Sequence, residues 1–383
     1  MPDEFASITR NDALVDVIGA EIETHGPIAF ERFMELALYH PTLGYYRAGG
    51  RRVGERGDYV TSPSLSPLFG AIVGRQLEEL WRRLGAPETL DLVEMGAGDA
   101  RLLRDLLQWA ARANLDVASA LRPTLIEPDP ALRDAQRRTL AHLAVAPRWV
   151  ANLAEIPPGS VEGCFISNEL VDSFPVRLFS IRRGELREVC VGLREGSLVE
   201  VEGDRVDLDL PPHLPPLLGA LPDGARVELS PTAWHWTADV AARLNRGFVL
   251  TFDYGYPAAQ MYAPWRAQGT LMAFYRHSVS PDPLAHPGEQ DLTAHVDFTA
   301  LTEIGRAHGL HPAGFTTQRQ FLTALGIHEA VAVTGLSLEE TLARRRAVLA
   351  LTDPAGLGRV RVLVQAKNAD GSDLTGFRDS AED

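Results

Sequence analysis

Short apolar runs alternate with stretches of helical spacing through the middle of the chain, and this alternation limits the fold more than any other feature. The elements that it predicts are, in order, a strand at 90–93, a helix at 100–112, a strand at 123–126, a helix at 130–143, strands at 148–150 and 164–167, a helix at 231–244, a strand at 247–252, a helix at 296–309 and a strand at 360–364. Strands joined by helices run parallel, and the helices cover both faces of the sheet. The sequence therefore predicts an α/β fold built on a parallel sheet.

The segments outside this alternation are predicted to be additions to the core. Helical spacing recurs at 12–38 and 68–84, and Gly26-Pro27 divides the first stretch into two helices. Strand-like runs between 176 and 230 indicate antiparallel hairpins. The predicted organisation is a helical N-terminal extension with an ordered loop at 1–85, a core at 86–367 with insertions near 176–230 and 256–295, and a disordered tail at 368–383.

Composition and charge exclude several classes of function. The chain has 37 Lys and Arg against 51 Asp and Glu, a net charge of −14, and no basic run, so no nucleic-acid partner is expected. Cys164 and Cys190 are too few for a disulfide framework or a zinc site, and no metal is predicted. The sequence has no apolar run of the ~18 residues that span a bilayer, and its first residues do not resemble a signal peptide. We therefore expect a cytoplasmic protein without membrane insertion.

The strand at 90–93 leads into an acid and a glycine turn, Glu94-Met95-Gly96-Ala97-Gly98. A dinucleotide fold needs Gly or Ala at the sixth position of G-x-G-x-x-G, where this chain has an arginine, and an acid before the turn would repel phosphates. S-adenosylmethionine has no phosphates and carries an ammonium and a sulfonium, which an acid favours. Glu94, Gly96 and Gly98 are therefore predicted to bind S-adenosylmethionine, although such a turn can also be a plain strand–helix connection.

Two later strand ends carry residues suited to the rest of this cofactor. Glu127 follows the strand at 123–126 and would accept hydrogen bonds from the ribose hydroxyls. Asn152 and Leu153 follow the strand at 148–150 and would meet the adenine. Taken alone, Glu127 could be a helix-start acid and Asn152 a turn residue. Their common position at strand ends favours one cofactor site.

The residues after the strand at 164–167 are candidates for the reaction centre. Glu169 and Asp172 are three positions apart, so on a helical turn they would share a face and could grip a guanidinium through paired hydrogen bonds. Asn168 could hold the cofactor or an amide substrate. The alternative is that both acids only begin a helix.

Another acidic and aromatic segment follows the apolar run at 247–252 and is expected at the same edge of the sheet. Asp253 is a candidate substrate contact, and Tyr254 and Tyr256 are candidate walls of a substrate channel. The alternative is an ordinary turn with aromatic packing. His277 and His295 lack further ligands at metal-binding spacing, so no metal role is predicted for them.

Several motifs in order resemble those of the MidA-like methyltransferase family, which includes the mitochondrial complex I assembly factor that methylates arginine. They are GDYVTSP at 57–63, EMGAG at 94–98, SNE at 167–169, FDYGY at 252–256 and DLTAHVDF at 291–298. The resemblance runs from about residue 20 to 365 and implies a class I methyltransferase core, a Rossmann-like fold with a helical N-terminal extension and inserted lid elements. It also implies that Thr61 and Ser62 border the cofactor or substrate site and places Asp58 with the substrate-channel residues.

Three residues depart from the family pattern. Ala100 stands where glycine is usual, a mild change if its φ is negative. Asp99 replaces a commonly basic or polar residue, and Ser64 replaces an acid after Thr-Ser-Pro. These departures concern the details of cofactor and substrate contacts.

The sequence thus predicts an enzyme that transfers a methyl group from S-adenosylmethionine to a protein side chain, arginine above all. The resemblance suggests a subunit of the respiratory complex I type as the protein substrate. The alternatives are a small-molecule methyltransferase and a non-catalytic assembly protein that retains the cofactor site. The oligomeric state is left open.

Overall fold

A computed structural model describes residues 11–47, 60–206, 208–276, 278–331 and 337–378. The helices in this part of the chain are α1 (Asp12–His25), α2 (Phe30–Tyr39), α3 (Ser62–Leu65), α4 (Pro67–Arg83), α5 (Arg101–Ala113), α6 (Leu115–Ala120), α7 (Pro130–Leu140), α8 (Leu214–Leu218), α9 (Pro231–Arg243), α10 (Ala258–Met261), α11 (Phe298–Ala307), α12 (Gln318–Ala324) and α13 (Leu338–Leu351). None of these helices is long and apolar enough to cross a membrane.

The strands of the described residues complete the secondary structure. They are β1 (Ile28–Ala29), β2 (Leu90–Met95), β3 (Leu121–Ile126), β4 (Arg148–Val150), β5 (Val161–Asn168), β6 (Arg177–Arg182), β7 (Glu185–Arg194), β8 (Ser197–Arg205), β9 (Arg226–Leu229), β10 (Leu244–Asp253), β11 (Gly255–Tyr256), β12 (Met272–Tyr275), β13 (Ser278–Ser280), β14 (Asp291–Thr293), β15 (Val296–Asp297), β16 (His311–Thr317) and β17 (Arg361–Lys367). The chain forms two compact units, of which the second holds Val60–Val171, Trp234–Gly255 and the chain from Phe298 onward.

The second unit is built on a seven-stranded sheet with the order β16-β17-β10-β5-β2-β3-β4. The strands from β10 to β4 are parallel, whereas β17 runs antiparallel to β10 and β16 antiparallel to β17. The predicted α/β fold is confirmed, with an antiparallel edge added to the parallel sheet. The run at 360–364 was correctly predicted as a strand, now β17. Its antiparallel direction could not be predicted from the run itself, because direction is set by pairing with β10.

Glycines let the three central strands of this sheet approach closely. Gly163 lies opposite Asp91 of β2 on one side and opposite Gly247 of β10 on the other. A Cβ on Gly163 would stand 2.0 Å from the Asp91 carbonyl oxygen, and one on Gly247 would stand 1.9 Å from the Gly163 carbonyl oxygen. No side chain can replace hydrogen at these two positions without moving the strands.

Helices pack on this sheet around a row of aromatic rings. Phe69 of α4 meets Phe252 of β10 edge to face at 5.4 Å between ring centroids, and Phe252 meets Phe321 of α12 at 5.3 Å. Phe321 in turn contacts Phe377 at 5.4 Å. Each such pair adds roughly 0.5–1.5 kcal/mol beyond the burial of its area. The row ties β10 to helices from both ends of the sequence.

The first unit contains an antiparallel sheet with the order β1-β7-β6-β9, and β8 pairs with β7. The predicted hairpins between 176 and 230 correspond to β6, β7 and β8. The segment near 256–295 contributes the small sheet β13-β12-β14. A core of helix and strand side chains, including Phe30, Phe33 and Tyr45, is buried within this unit.

The grouping of residues differs from the predicted organisation at two places. Residues 60–83 belong with the second unit rather than with an N-terminal extension, because Phe69 and its neighbours on α4 join the core of that unit. The predicted disordered tail is packed within residues 368–378, since Leu374 and Phe377 are buried and the Gly376 N–H donates to Gln76 Oε1 at 3.0 Å. The sequence prediction missed this packing because Leu374 and Phe377 lie within a segment of mostly polar residues.

This packing of the tail is testable with Phe377→Ala. We expect the substitution to lower the free energy of unfolding by about 3 kcal/mol, because it leaves a cavity beside Phe321. Urea denaturation measures the change, and Leu115→Ala, at a side chain that is 71% exposed, is the control. Equal stability of the two variants would mean that the tail is not part of the core.

Candidate functional site

In the glycine turn after β2, every second residue from 96 to 100 has a left-handed backbone conformation. Gly96, Gly98 and Ala100 have φ values of +73°, +52° and +63°. A Cβ on Gly96 would lie 2.8 Å from Leu170 Cδ1, whereas nothing stands within 4 Å of the Cβ position on Gly98. The first glycine therefore allows close packing inside the protein, and the second leaves space beside the turn.

Ala100 is a costlier departure from glycine than the sequence suggested. Its φ is positive, so the condition for a mild change is not met, and a non-glycine residue in this region costs of order 1 kcal/mol. The methyl group is fully buried in the core of the second unit, and the Ala100 N–H donates to the Ala97 carbonyl at 2.7 Å. Burial of the methyl group offsets part of the strain.

Glu94 is the buried acid at the end of β2, only 3% exposed. Its Oε2 has no hydrogen-bond partner among the described residues. Burial raises the pKa of Glu94 to about 8, and the nearby Asp99 carboxylate adds to the rise. A buried carboxyl group without a donor is costly by itself, so this position favours a ligand that brings positive charge or N–H donors.

Asn168 presents a second acceptor on the neighbouring strand. Glu94 pairs with Ile166 across β2 and β5, and Asn168 lies two positions after Ile166, so the Glu94 and Asn168 side chains share one face of the sheet. Asn168 Nδ2 donates to Glu169 Oε1 at 3.2 Å. Because a carboxylate only accepts, this contact orients the amide, and Asn168 Oδ1 is buried without a partner among the described residues.

The other two departures from the family pattern form a local network beside the glycine turn. Arg101 Nε donates to Asp99 Oδ2 at 2.8 Å, and Arg101 Nη1 donates to the Ser64 carbonyl at 3.3 Å. The Ser64 hydroxyl accepts the Thr61 N–H at 2.9 Å, while Thr61 Oγ1 accepts the Ser64 N–H. Ser64 thus completes a capping box, the task that an acid performs at this position of a helix start.

The contact of Arg101 with Ser64 places Thr61 and Ser62 near the glycine turn. Both of their hydroxyl groups, however, form hydrogen bonds within the protein. Thr61 caps α3. Ser62 is fully buried and donates to Gln318 Oε1 at 2.8 Å. Their assignment as cofactor-bordering residues stays a prediction, and Asp58 lies outside the described residues.

Glu127, at the end of β3, is held by donors on both carboxylate oxygens. The Asp129 N–H donates to Oε1 at 2.8 Å, and Gln136 Nε2 contacts Oε2 at 3.4 Å. Gln136 Nε2 also donates to the Gly98 carbonyl at 2.9 Å, so one amide joins this acid to the glycine turn. Gln136 was missed from the sequence, although it interrupts the apolar stripe of Leu132 and Leu140 on α7.

Asn152 and Leu153 follow the end of β4, which is the position predicted for them. Asn152 is exposed, and its Oδ1 accepts the Ala154 N–H at 3.0 Å, which caps a single 3₁₀ turn. The Leu153 carbonyl accepts Arg243 Nε at 3.0 Å. These contacts match the turn-residue alternative, and an adenine contact remains a prediction.

Asp253 has a different place from the one expected of a channel residue. It is fully buried, and its Oδ2 accepts the N–H groups of Leu170 and Val171 at 3.1 and 2.8 Å. Its Oδ1 accepts the Tyr254 N–H at 2.9 Å. Asp253 therefore fixes the backbone that follows Glu169, and its contact with a substrate stays a prediction.

Glu169 itself has a φ of +50°, and its N–H donates to the Phe252 carbonyl at 2.9 Å. The 3₁₀ turn begins only at Val171, so the helical spacing that would align Glu169 with Asp172 is absent. Asp172 is buried in the first unit, where its carbonyl accepts the Ala294 N–H at 2.9 Å. Glu169 remains half-buried at the carboxyl edge of β5.

The two candidate channel tyrosines belong to different units. Tyr254, in the second unit, lies under the Arg359 guanidinium at 5.3 Å. Tyr256, in the first, contacts the His295 ring at 5.2 Å and the Arg266 guanidinium at 4.2 Å. Their packing agrees with the aromatic alternative. Within the described residues, no group of three or more His, Cys, Asp or Glu side chains could hold a metal ion.

The edge of the second unit fits S-adenosylmethionine on chemical grounds. Glu94 and Asn168 offer buried acceptor oxygens that have no partner in the described part of the chain, and such oxygens suit an ammonium group. Space is open beside Gly98, and Glu127 is fixed next to it through Gln136. At position 101, where a dinucleotide fold has a small residue for close packing of helix and strand, Arg101 bonds to Asp99 and to the Ser64 carbonyl.

Comparisons with known proteins agree with this chemistry. The model of a family of S-adenosyl-L-methionine-dependent methyltransferases matches residues 72–316. The mitochondrial protein arginine methyltransferase NDUFAF7 homolog of Drosophila melanogaster is 28% identical over 376 residues, which cover 90% of this chain and 83% of the fly protein. The human mitochondrial protein arginine methyltransferase NDUFAF7 is 28% identical over 339 residues, covering 80% of this chain and 72% of the human one.

Solved structures extend the match to the whole chain. A Burkholderia thailandensis protein bound to S-adenosyl-homocysteine has a TM-score of 0.87 and 32% identity, and covers 99% of this chain and 97% of its own. A second structure from that organism has a TM-score of 0.84 at 31% identity and the same coverage. The predicted methyltransferase fold is confirmed. The prediction of a cytoplasmic location is wrong, because the curated relatives are mitochondrial proteins.

Glu94→Gln tests the buried acid. Because the pKa of Glu94 is raised in the folded state, the wild-type protein loses stability as pH rises from about 4.5 to about 8. The neutral amide escapes this loss, so we expect the ligand-free variant to unfold with a free energy higher by on the order of 2 kcal/mol at pH 7 and unchanged below pH 4.5. Urea denaturation at several pH values measures the difference.

The same variant should bind S-adenosylmethionine more weakly. In the wild-type protein, affinity should rise with pH up to about 8, by at most tenfold per unit, as Glu94 ionises. The variant should lack this slope in calorimetric titrations. A variant that binds as tightly as the wild type would remove Glu94 from the site.

Asp253→Asn separates a structural role from a channel role. We expect the free energy of unfolding to fall by about 2 kcal/mol, because one amide oxygen replaces a charged acceptor of three N–H groups. Asp239→Asn, at a side chain that is 54% exposed, is the matched control and should change it by less than about 0.5 kcal/mol. If neither variant changes the free energy of unfolding, the structural role of Asp253 is wrong and a role in the substrate channel is favoured.

Proposed function

The chain belongs to the family of S-adenosyl-L-methionine-dependent methyltransferases, and we propose that it transfers the methyl group to a guanidinium nitrogen of an arginine in a protein. The family and the cofactor agree with the sequence prediction. The pair of unpartnered buried oxygens on β2 and β5, Glu94 Oε2 and Asn168 Oδ1, carries the assignment of the cofactor site. The relatives named as protein arginine methyltransferases support the choice of acceptor.

The chain's own acids would hold the two ends of the cofactor, which when bound supplies a methyl group activated on a sulfonium. Glu94 and Asn168 accept hydrogen bonds from the ammonium end, and ionised Glu94 adds charge attraction in a buried setting. Glu127 accepts the ribose hydroxyls, and Gly96 and Gly98 let the turn lie close to the ligand. Exclusion of water from the buried acids strengthens both sets of contacts.

Glu169 would position the acceptor at the carboxyl edge of β5. Asn168 Nδ2 anchors Glu169 Oε1, and Asp253 fixes the turn that follows, so the carboxylate is held at both its side chain and its backbone. Its oxygens accept N–H groups of the guanidinium and direct one nitrogen to the reaction. That nitrogen gains the methyl group and loses one proton, which a Glu169 oxygen accepts. The product guanidinium keeps its positive charge.

A subunit of the respiratory complex I type is the first protein substrate to test. The resemblance to the MidA-like family suggests this class. The net charge of −14 also favours a partner that presents basic side chains, such as the target arginine and its neighbours.

The role of Glu169 is tested with Glu169→Gln. The amide cannot take the proton and repels one guanidinium N–H, so methyl transfer should fall at least 100-fold while affinity for S-adenosylmethionine changes less than about threefold. The measurement is mass spectrometry of methylarginine in arginine-containing proteins incubated with the enzyme, together with calorimetry of cofactor binding. Glu162→Gln, at an exposed acid at the opposite end of β5, is the matched control.

The outcomes separate the alternatives. Cofactor binding with methylation of small molecules only would indicate a small-molecule methyltransferase. Cofactor binding without any transfer would indicate an assembly protein. Full transfer by Glu169→Gln would contradict the proposed role of this acid.

A further inference from the structure

We propose that Trp149 and Gln136 are positioning residues that fix Glu127 for the ribose hydroxyls of the cofactor. The inference rests on the proposed cofactor site and concerns how that site selects its ligand. Neither residue is expected to touch the methyl group or the acceptor. Their effect reaches the ligand through the orientation of one carboxylate and one backbone turn.

The direction of the Gln136 amide follows from its partner on β4. Trp149 Nε1 lies 2.8 Å from Gln136 Oε1, and an indole nitrogen can only donate. The amide oxygen must therefore face the tryptophan, and Nε2 must point away from it. The assignment of the two amide atoms is thus fixed by chemistry rather than by the shape of the side chain.

Gln136 Nε2 then faces two parts of the cofactor site. It donates to the Gly98 carbonyl at 2.9 Å and contacts Glu127 Oε2 at 3.4 Å. The Asp129 N–H donates to the other oxygen, Glu127 Oε1, at 2.8 Å. Donors on both oxygens set the plane of the Glu127 carboxylate, and the shared amide sets its distance from the glycine turn.

Burial restricts the Gln136 side chain to an orientation in which both ends of its amide have partners. Gln136 is fully buried, so an amide end without a partner would be costly, and each hydrogen bond restricts the other. A leucine would complete the apolar stripe of α7 on which Gln136 lies, between Leu132 and Leu140. The buried amide in that stripe has both ends occupied, one by the indole and the other by the cofactor-facing groups. This arrangement suits the orientation of a carboxylate better than it suits packing alone.

The test compares two probes, S-adenosyl-homocysteine and its 2′-deoxy counterpart, by calorimetric titration. In the wild-type protein the loss of the hydroxyl group should weaken binding about tenfold or more, because Glu127 loses a charged hydrogen bond. Trp149→Phe removes the indole N–H and keeps a ring under the Arg137 guanidinium, which lies 5.0 Å from the Trp149 ring. This variant should bind S-adenosyl-homocysteine about five- to tenfold more weakly and the deoxy probe with nearly unchanged affinity.

Gln136→Met is the second variant, since it keeps the volume and removes both polar ends, and it should show the same loss of discrimination. Trp265→Phe, at a ring that is 79% exposed, is the control for the Trp→Phe change and should keep the wild-type discrimination. Equal weakening of both probes in the variants would indicate a general structural role and overturn the inference. So would wild-type affinity in Trp149→Phe.

The wild-type protein distinguishes failure of this inference from failure of the cofactor site. If it binds both probes equally tightly, the role of Glu127 at the ribose is wrong while cofactor binding stands. If it binds neither probe, the proposed cofactor site is wrong and the inference fails with it.

Discussion

The close approach of β2, β5 and β10 at Asp91, Gly163 and Gly247 sets the register on which the site depends. Carbonyl oxygens occupy the space that side chains would need, so a side chain at Gly163 or Gly247 would disturb this alignment. From this row the register continues to the carboxyl edge, where Glu94 pairs with Ile166 and Phe252 with Asn168. A slip of one residue would turn Glu94 and Asn168 to opposite faces.

At the resulting edge, short contacts join the residues proposed to hold the cofactor to those proposed to hold the acceptor. Asp253 holds the Leu170 N–H, and the Leu170 side chain packs on the α-carbon of Gly96. Asn168 contributes one end of its amide to Glu169, and the other end is buried without a partner among the described residues, on the face of the sheet that Glu94 shares. These contacts connect the turn at Gly96 with the backbone that follows Glu169.

Local signals explain why much of the sheet, and the positions of several candidate site residues at strand ends, could be predicted from the sequence, whereas the roles of those residues stay predictions. An apolar run followed by an acid and glycines marks a strand end without knowledge of its neighbours, and β4 was predicted at its observed bounds. Non-local features were not accessible in this way. The strand β16 contains Pro312 and Gly314 and exists because β17 pairs with it, and the burial of Asp253 depends on a turn of another strand. Two missed features did carry signals: Ser337 and Glu340 form the capping box of α13, and Gln136 interrupts an apolar stripe.

The position of β17 has a consequence for the order in which the protein can fold. Gly247 of β10 pairs with Lys367 near the end of the chain, and Phe252 pairs with Val362. During synthesis one side of β10 is therefore an unprotected sheet edge until β17 has left the ribosome, and non-local pairing of this kind is slow. The turn that Asp253 stabilises lies at the end of this same strand. A translation product that stops before β17 would therefore leave the backbone N–H and C=O groups along one side of β10 open to pairing with other chains.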